Sequence, residues 1–319
     1  MAPFVLITGN GRSGSNRLLD ILDHSPDTAC RNEMNGVVHG DFGTIGGMLF
    51  TDDLTPDRKA KLDQAVARAG LRRSDRDRPP QVKKSYFRPH IISDAMHWAT
   101  SKDRVRFALA RTPLLAAHDE WDLPGWYTDQ TKLAKALGVL KLNAGPAWTL
   151  HLHATHPNAR IIHNLRRPHS YLNSWYNRFA KTEGPAHFEK FWSDVPRIFA
   201  HFGRDDYERL HDFSKESVME IELWRWRYTN ETLHQALKGS DRAITITYAD
   251  IDDDPGAAAE KVYTFAGLPF NAAVSELVQN MRNTLFAKKH TVKLEDTLID
   301  TLVSDVLTDS ALHDIPNLL

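Results

Sequence analysis

Apolar runs along the chain end in short polar turns, and each turn leads into a stretch with helical spacing. The first run, residues 4–7, changes into glycines and hydroxyls and then into a helical pattern from Ser15. A second run, residues 159–165, brings Arg166 to its end, and Pro168 follows where a helix begins. Alternating strands and helices predict one α/β domain built around a parallel sheet.

The middle of the chain is less regular. Residues 71–89 are rich in Arg, Asp, Lys and Pro, which predicts an exposed connection with Lys84 in solvent. Residues 112–127 predict a long loop or an insertion of short helices. Residues 215–238 and 271–310 have helical spacing, and we expect both to lie at the surface of the core.

The first turn has the composition of an anion site. It contains three glycines, Gly9, Gly11 and Gly14. Glycines allow a tight turn and close approach of a ligand to the backbone, and the next helix offers unpaired N–H groups. A kinase loop of the form G-x-x-x-x-G-K-[ST] would have lysine and a hydroxyl where this chain has Ser15 and Asn16. The cation lies upstream, at Arg12, which favours a phosphosulfate over a metal-bound triphosphate.

The second run ends in another candidate phosphate site. Arg166 stands at the end of the predicted strand, and Ser170 and Ser174 share one face of the helix that follows. The opposite face is apolar and is predicted to pack against the sheet.

Together these motifs resemble the sulfotransferases that use 3′-phosphoadenosine 5′-phosphosulfate (PAPS). Residues 11–16 match the pattern P-[RK]-S-G-[ST]-[ST], and residues 166–174 match R-D-P-x-x-x-x-x-S. Residues 243–269 resemble the segment V-x-Y-E-D-L…D-P…F-L-G-L-P. The chain departs from these patterns at three positions, Gly11, Asn16 and Arg167.

The resemblance implies a P-loop-like three-layer fold, with a central parallel sheet flanked by helices. It implies a single sulfotransferase domain over 1–319, with a variable acceptor-side insertion at about 42–148, and PAPS as the donor with no metal. The 5′-phosphosulfate would be held by Gly11, Arg12, Ser13, Gly14, Ser15 and Asn16. The 3′-phosphate would be held by Arg166 and Ser174.

Catalytic roles follow from the same resemblance. Arg12 would stabilise the leaving oxygen and the sulfuryl group, because charge stabilisation dominates such in-line transfers. The base would be Glu33, at the position of the carboxylate in bacterial and carbohydrate-type relatives, or His39, since cytosolic relatives use histidine. A salt bridge from Glu33 to an arginine is the alternative for that residue.

Composition narrows the function classes. With 41% hydrophobic residues and a net charge of −1, the chain can bury a large core but has no global field that attracts nucleic acid. The only cysteine is Cys30, which excludes an intrachain disulfide and favours a reducing, cytoplasmic location. A strand that begins near Phe4 and the lack of a run of about 20 apolar residues favour a chain without leader or membrane anchor.

Two other functions stay open beside transfer to a hydroxyl of a carbohydrate, glycolipid or small metabolite. One is an ATP-dependent P-loop phosphotransferase, and the other is a non-catalytic nucleotide-binding protein derived from a sulfotransferase. The sequence also leaves a homo-oligomer open. His151, His153 and His156 are interpreted as surface or hydrogen-bonded residues, because no ligand partners stand at metal-site spacing nearby.

Overall fold

The structure is a computed structural model. It describes residues 3–32, 50–69, 72–74, 82–89, 120–122, 128–143, 145–180, 189, 192–285, 296–316 and 318. Within these residues no helix combines the length and the apolar character needed to cross a membrane.

The strands and helices alternate along the chain as the hydrophobic pattern predicts. The strands are β1 (Phe4–Gly9), β2 (Thr28–Arg31), β3 (Arg72–Ser74), β4 (Glu120–Asp122), β5 (Leu137–Asn143), β6 (Ala159–Leu165) and β7 (Ala243–Thr247). The helices are α1 (Ser15–Asp23), α2 (Pro56–Ala69), α3 (Gln130–Leu133), α4 (Pro146–Thr155), α5 (Pro168–Trp175), α6 (Val195–His201), α7 (Lys215–Leu237), α8 (Tyr248–Asp253), α9 (Pro255–Ala266), α10 (Ala272–Leu285) and α11 (Asp296–Leu307). One π-helical turn, Tyr176–Ala180, continues α5.

Five parallel strands form the central sheet in the order β2-β5-β1-β6-β7. Strands β3 and β4 make a separate antiparallel pair. Strand β1 is buried along its whole length, as expected for a central strand of a parallel sheet covered on both faces.

The two faces of β1 pack against different helices, because side chains alternate along a strand. Val5 and Ile7 share an apolar cluster with residues of α1, α9 and α10. Phe4 and Leu6 share another cluster with residues of α2, α4 and the end of α7. The predicted three-layer α/β fold, with a parallel sheet between helices, is confirmed.

Helix α7 is confirmed as a helix, but its predicted position at the surface of the core is wrong. Trp226 is fully buried, and α7 shares one apolar cluster with residues of α5, α6 and α11. Helix α11 and the described residues after it therefore cover a face of α7 that would otherwise be exposed.

Lys84 is also placed differently from the expectation of a solvated side chain. It is 2% exposed, and its Nζ donates to the carbonyl oxygens of Asp23 at 2.5 Å and Ser25 at 2.8 Å. It also forms an ion pair with the Asp23 carboxylate at 2.8 Å. A lysine that binds carbonyls at the end of α1 and just after it satisfies acceptors that a helix C-terminus leaves unpaired.

The predicted acceptor-side insertion, at about 42–148, overlaps one strand of the central sheet. Strand β5 lies within this interval and pairs with both β1 and β2, so this part belongs to the central sheet. The insertion stays a prediction for the rest of the interval. Much of residues 112–127 lies outside the described residues.

Candidate functional site

The strand ends bring the predicted anion-binding residues to one edge of the sheet. Strand β1 lies between β5 and β6, and all three run in the same direction. Their carboxyl ends lead to the glycine-rich turn, to Asn143 and to Arg166. In parallel sheets ligands bind at this edge, in the crevice next to a change of strand order.

Gly9 and Gly14 are required by the conformation of the turn. Their φ angles are 145° and 96°, and residues that carry a side chain rarely adopt such angles. A Cβ atom at Gly9 would overlap the backbone carbonyl of Asn164, and one at Gly14 would overlap the ring of Tyr248. Gly11 differs, because its φ is not in this range and a Cβ there would meet nothing within 4 Å. The conformation of the turn therefore does not require glycine at position 11.

Arg12 adopts a left-handed conformation, with a φ of 72°. Such a conformation costs a non-glycine residue about 1–2 kcal/mol and is found mainly where neighbouring contacts enforce it. Ser13 N–H donates to the Asn10 carbonyl at 3.2 Å, and Asn164 Nδ2 donates to the carbonyl and the hydroxyl of Ser13, both at 3.0 Å. These bonds close the turn and fix it to β6.

Helix α1 begins directly after the turn, and among the described residues no side chain caps its N-terminus. The Ser15 hydroxyl donates to Asn143 Oδ1 at 3.0 Å. The Asn16 side-chain oxygen accepts from Lys141 Nζ at 2.5 Å. Both side chains are thus bonded to β5, while the positive end of the helix dipole faces the turn.

Lys141 is a buried cation next to the turn, and it lies outside the motifs found in the sequence. It is 1% exposed, and its Nζ also donates to Asn32 Oδ1 at 2.8 Å. The available signal was a charged residue within the otherwise apolar run of β5, because a lysine is rarely buried without a specific partner.

The two predicted phosphate motifs meet in space. Arg166 donates through Nη1 to the Arg12 carbonyl at 2.9 Å and through Nε to the Ser170 hydroxyl at 2.8 Å. Arg12 in turn donates through Nε to the Ser174 hydroxyl at 3.2 Å. Residues that follow β1 and β6 therefore form one cluster with residues of α5, although they are far apart in the sequence.

Tyr248, the first residue of α8, closes one side of this cluster. Its ring centroid lies 4.4 Å from the guanidinium carbon of Arg166 and 4.5 Å from that of Arg17. A ring face attracts a cation by about 0.5–2 kcal/mol, so the tyrosine holds both arginines near Gly14. The sequence motif around Tyr248 was recognised, but not this contact.

The arginines of the site are crowded. Burial and the nearby Arg178 lower the pKa of Arg12. Burial also lowers the pKa of Arg166, and Arg12 and Arg17 lower it further, whereas Tyr248 and the Asp252 carboxylate, which forms an ion pair with Arg17, oppose the shift. Like charges that lie close together in a partly buried place favour binding of an anion, which would relieve their repulsion.

The proposed bases Glu33 and His39 lie outside the described residues. Asn32, directly before Glu33, contacts Lys141. In the part of the chain that the structure describes, no group of His, Cys, Asp and Glu could hold a metal ion. His151 and His156 both contact Asp63 Oδ1, at 3.0 Å and 2.9 Å, in agreement with their interpretation as hydrogen-bonded residues.

Several solved sulfotransferase structures resemble the chain. STF9 from Mycobacterium avium is 14% identical, with a TM-score of 0.41, covering 96% of this chain and 76% of that chain. A sulfotransferase from Alicyclobacillus acidocaldarius is 13% identical, with a TM-score of 0.43, covering 97% and 93%. Mouse sulfotransferase SULT7A1, complexed with PAP, is 10% identical, with a TM-score of 0.38, covering 98% and 87%. These similarities are too low to transfer residue roles.

The family comparison is decisive. No curated protein sequence matches the chain. The sequence model described as "Sulfotransferase family" matches residues 3–272, which include every strand of the central sheet and the whole arginine cluster. The chain therefore belongs to the Sulfotransferase family, whose members transfer sulfuryl groups.

Proposed function

We propose that the protein transfers a sulfuryl group from PAPS to the hydroxyl of a carbohydrate, glycolipid or small metabolite. The observation that carries this proposal is the contact of the two phosphate motifs through Arg12, Arg166 and Ser174. A donor with phosphate groups at both its 5′ and 3′ positions needs two anion sites that lie close together.

The described residues fit such a donor. The turn from Asn10 to Gly14 and the N-terminus of α1 would hold the 5′-phosphosulfate, because N–H groups and a helix dipole stabilise an anion there. Arg166 and Ser174 would hold the 3′-phosphate. Gly14 lies against Tyr248 with no room for a Cβ, so the backbone itself lines this part of the site.

The cations of the site would stabilise the charge of the transfer. PAPS, when bound, supplies the sulfuryl group, and negative charge accumulates on the oxygen that leaves with the 5′-phosphate. Arg12 is our choice for stabilising that oxygen, and Lys141, buried below Asn16, adds positive potential under the turn. Preorganised charges of this kind lower the barrier without reorganisation during the reaction.

Glu33 stays our first choice as the base that accepts the proton of the acceptor hydroxyl, with His39 as the alternative. Either residue would need to lie within hydrogen-bonding distance of that hydroxyl. A cytoplasmic location and sulfuryl transfer without a metal ion also stay predictions.

Isothermal titration with 3′-phosphoadenosine 5′-phosphate (PAP), ADP and ATP with magnesium tests the donor. At fixed salt we expect binding of PAP and little or none of the other two. Ser174→Ala should weaken PAP binding by roughly tenfold, because a hydrogen bond to a charged group contributes about 1.5–3 kcal/mol. Ser304→Ala, on the exposed side of α11, serves as the matched control with unchanged affinity.

The outcomes separate the alternatives. A preference for ATP with magnesium would favour a phosphotransferase and contradict the proposal. PAP binding without any sulfated product across an acceptor screen would favour a non-catalytic nucleotide-binding protein. Glu33→Gln should retain PAP binding and lower turnover, whereas equal loss of both would argue against Glu33 as the base.

A further inference from the structure

Asn164 is a polar residue on an apolar face of the sheet. It lies near the end of β6 and is fully buried. Because residues two apart on a strand share a face, Asn164 lies on the same face as Ile162, which belongs to the apolar cluster around α1 and α9. Pairing of β6 with β1 ends at His163, so Asn164 stands where β1 turns away from the sheet.

The side-chain amide of Asn164 bonds to one residue of the turn, Ser13. Its Nδ2 donates to the Ser13 carbonyl oxygen and to the Ser13 hydroxyl, both at 3.0 Å. A backbone carbonyl can only accept, so the atom that faces it is the amide nitrogen. The amide oxygen, Oδ1, has no hydrogen-bond partner among the described residues. A buried oxygen without a partner destabilises the fold, which an apolar side chain at this position would avoid.

The end of β6 holds two successive carbonyls of the turn. Arg166 Nη1 donates to the Arg12 carbonyl at 2.9 Å, and Asn164 donates to the next carbonyl, that of Ser13. The peptide N–H of Ser13 donates to the Asn10 carbonyl at 3.2 Å. The left-handed conformation of Arg12, with a φ of 72°, requires such contacts, because a non-glycine residue does not favour it.

The bond to the Ser13 carbonyl also sets the direction of the next N–H group. In a planar trans peptide the N–H points opposite to the C=O. Since the Ser13 carbonyl faces Asn164, the Gly14 N–H faces away from β6. Among the described residues this N–H has no acceptor. Gly14 directly precedes α1, so its N–H lies next to the N–H groups that the first turn of the helix leaves unpaired.

We propose that Asn164 is a positioning residue of the sulfuryl-transfer site, which holds the Ser13 carbonyl and thereby directs the Gly14 N–H towards the 5′-phosphosulfate. The proposal deepens the proposed function and rests on it for the identity of the anion. The amide of Asn164 does not contact the donor itself. It acts through one peptide unit, whose orientation an apolar residue at position 164 could not fix.

Titration with PAP compares Asn164→Leu and Asn164→Ala with Asn230→Leu as a matched control. Asn230, on α7, is 1% exposed, and its Nδ2 also donates to a backbone carbonyl, that of Trp226 at 2.9 Å. We expect both variants of Asn164 to weaken PAP binding by about three- to tenfold, because both lose the same hydrogen bonds. The control should lower Tm and leave PAP affinity within about twofold.

The two variants of Asn164 also separate positioning from stability. Asn164→Ala leaves a cavity that Asn164→Leu largely fills, so the two proteins should differ in Tm. A positioning role predicts similar losses of PAP affinity in spite of that difference. Losses of affinity that follow Tm across all three variants would overturn the proposal, as would a folded variant of Asn164 that binds PAP like the wild type.

Amide NMR of the wild type provides a spectroscopic signature at Gly14. Addition of PAP should shift the Gly14 amide proton downfield and slow its exchange, because the N–H would then donate to a charged oxygen. The shift should be smaller in Asn164→Leu at saturating PAP. A Gly14 resonance that bound PAP leaves unchanged in the wild type would overturn the proposal, even if the variants failed to fold.

Hydrogen exchange of the ligand-free protein provides a readout that does not depend on the donor. We expect faster exchange at the Ser13 amide in both variants of Asn164, after correction for global stability, and no change in Asn230→Leu. Unchanged exchange at Ser13 would overturn the positioning role. A wild-type protein that fails to bind PAP would instead contradict the proposed function, while the exchange result would still decide whether Asn164 fixes the turn.

Discussion

Arginines serve different purposes at the edge of the sheet and around α7. At the edge, Arg12 and Arg166 donate to neutral acceptors, namely serine hydroxyls and a backbone carbonyl, and burial with neighbouring arginines lowers their pKa. Around α7, hydrogen bonds to Asp206 raise the pKa of Arg204, and hydrogen bonds to Glu220 raise that of Arg209.

This difference distinguishes arginines that can bind an external anion from arginines that stabilise the fold. Arginines that are paired with carboxylates inside the chain have their electrostatic partner already and contribute to the fold. Arg12 and Arg166 make no hydrogen bond to a carboxylate among the described contacts and lie close to other arginines, so an external anion can relieve their repulsion. The local arrangement of charge therefore distinguishes the two kinds, although the residue type is the same.

The largest effect is expected when the buried ion pair between Arg227 and Glu231 on α7 is broken. Arg227 is 4% exposed and donates to Glu231 at 3.2 Å and to the Val306 carbonyl at 2.6 Å. Arg227→Met should lower the free energy of unfolding by about 3–5 kcal/mol, because Glu231 would keep a buried charge. Urea denaturation measures the loss, and Arg209→Met, in a more exposed pair, should lose less than about 1 kcal/mol. A loss for Arg227→Met no larger than that of the control would contradict the assignment.

The next largest effect is the pH dependence of stability that His163, a titratable residue of β6, should cause. Burial lowers the pKa of His163 to about 4, and its Nε2 contacts Asn230 Oδ1 at 3.1 Å. The unfolded chain binds this proton below about pH 6.5 but the folded chain only below about pH 4, so stability should fall by up to about 3 kcal/mol as pH drops through that window.

Urea denaturation of the wild type and of His163→Gln, from pH 7 to pH 4, measures this slope. The variant should show a shallower loss of stability over the same range. Parallel curves for the two proteins would show that other groups cause the acid sensitivity. The arginines of the site stay charged throughout this pH range, so their ionisation does not contribute to the measured loss of stability.

Arg166→Ala tests whether the arginines at the edge of the sheet bind an anion. We expect PAP affinity to fall by roughly tenfold or more, from the loss of charge-assisted hydrogen bonds worth about 1.5–3 kcal/mol. The same variant should lose less stability than Arg227→Met, because Arg166 donates to a serine hydroxyl and a backbone carbonyl rather than to a buried carboxylate. Titration calorimetry and urea denaturation measure the two quantities. Arg204→Ala is the control for binding, and an equal loss of affinity there would remove the distinction between the regions.

The smallest expected effect tests the backbone conformation of the anion-binding turn, without any change of charge. Gly14→Ala should destabilise the protein by about 1–2 kcal/mol and weaken PAP binding, because its left-handed conformation and the Tyr248 ring oppose a Cβ. Gly11→Ala should be close to neutral in Tm and in PAP affinity, since a Cβ there meets nothing within 4 Å. Similar behaviour of the two variants would show that Gly14 is not a conformational requirement.

Much of the site could be predicted from local patterns. The helical pattern was expected from Ser15, and α1 begins at Ser15. Pro168 begins α5 as its spacing indicated, and Asp254 caps α9, as its position before a proline and an alanine-rich run predicts. These features depend on neighbours within a few residues, so sequence alone contains the information.

The residues that were missed depend on distant partners. Lys84 was expected in solvent, but its partners belong to the end of α1, about 60 positions earlier. Lys141 and Asn143 reach the turn only because β5 lies beside β1, and Tyr171 donates to Glu222 on α7, 51 positions away. A short apolar run with one lysine gives little information about which strand will be its neighbour.

The sequence by itself determined the strand, turn and helix of the first motif, the Arg166–Ser174 motif and the α/β class, because backbone preference and hydrophobic period act over short distances. The tertiary structure decided which charges meet, as in the bond between Arg12 and Ser174 across 162 positions. That choice follows from the order of the strands, which depends on how all the apolar faces pack together rather than on any local segment.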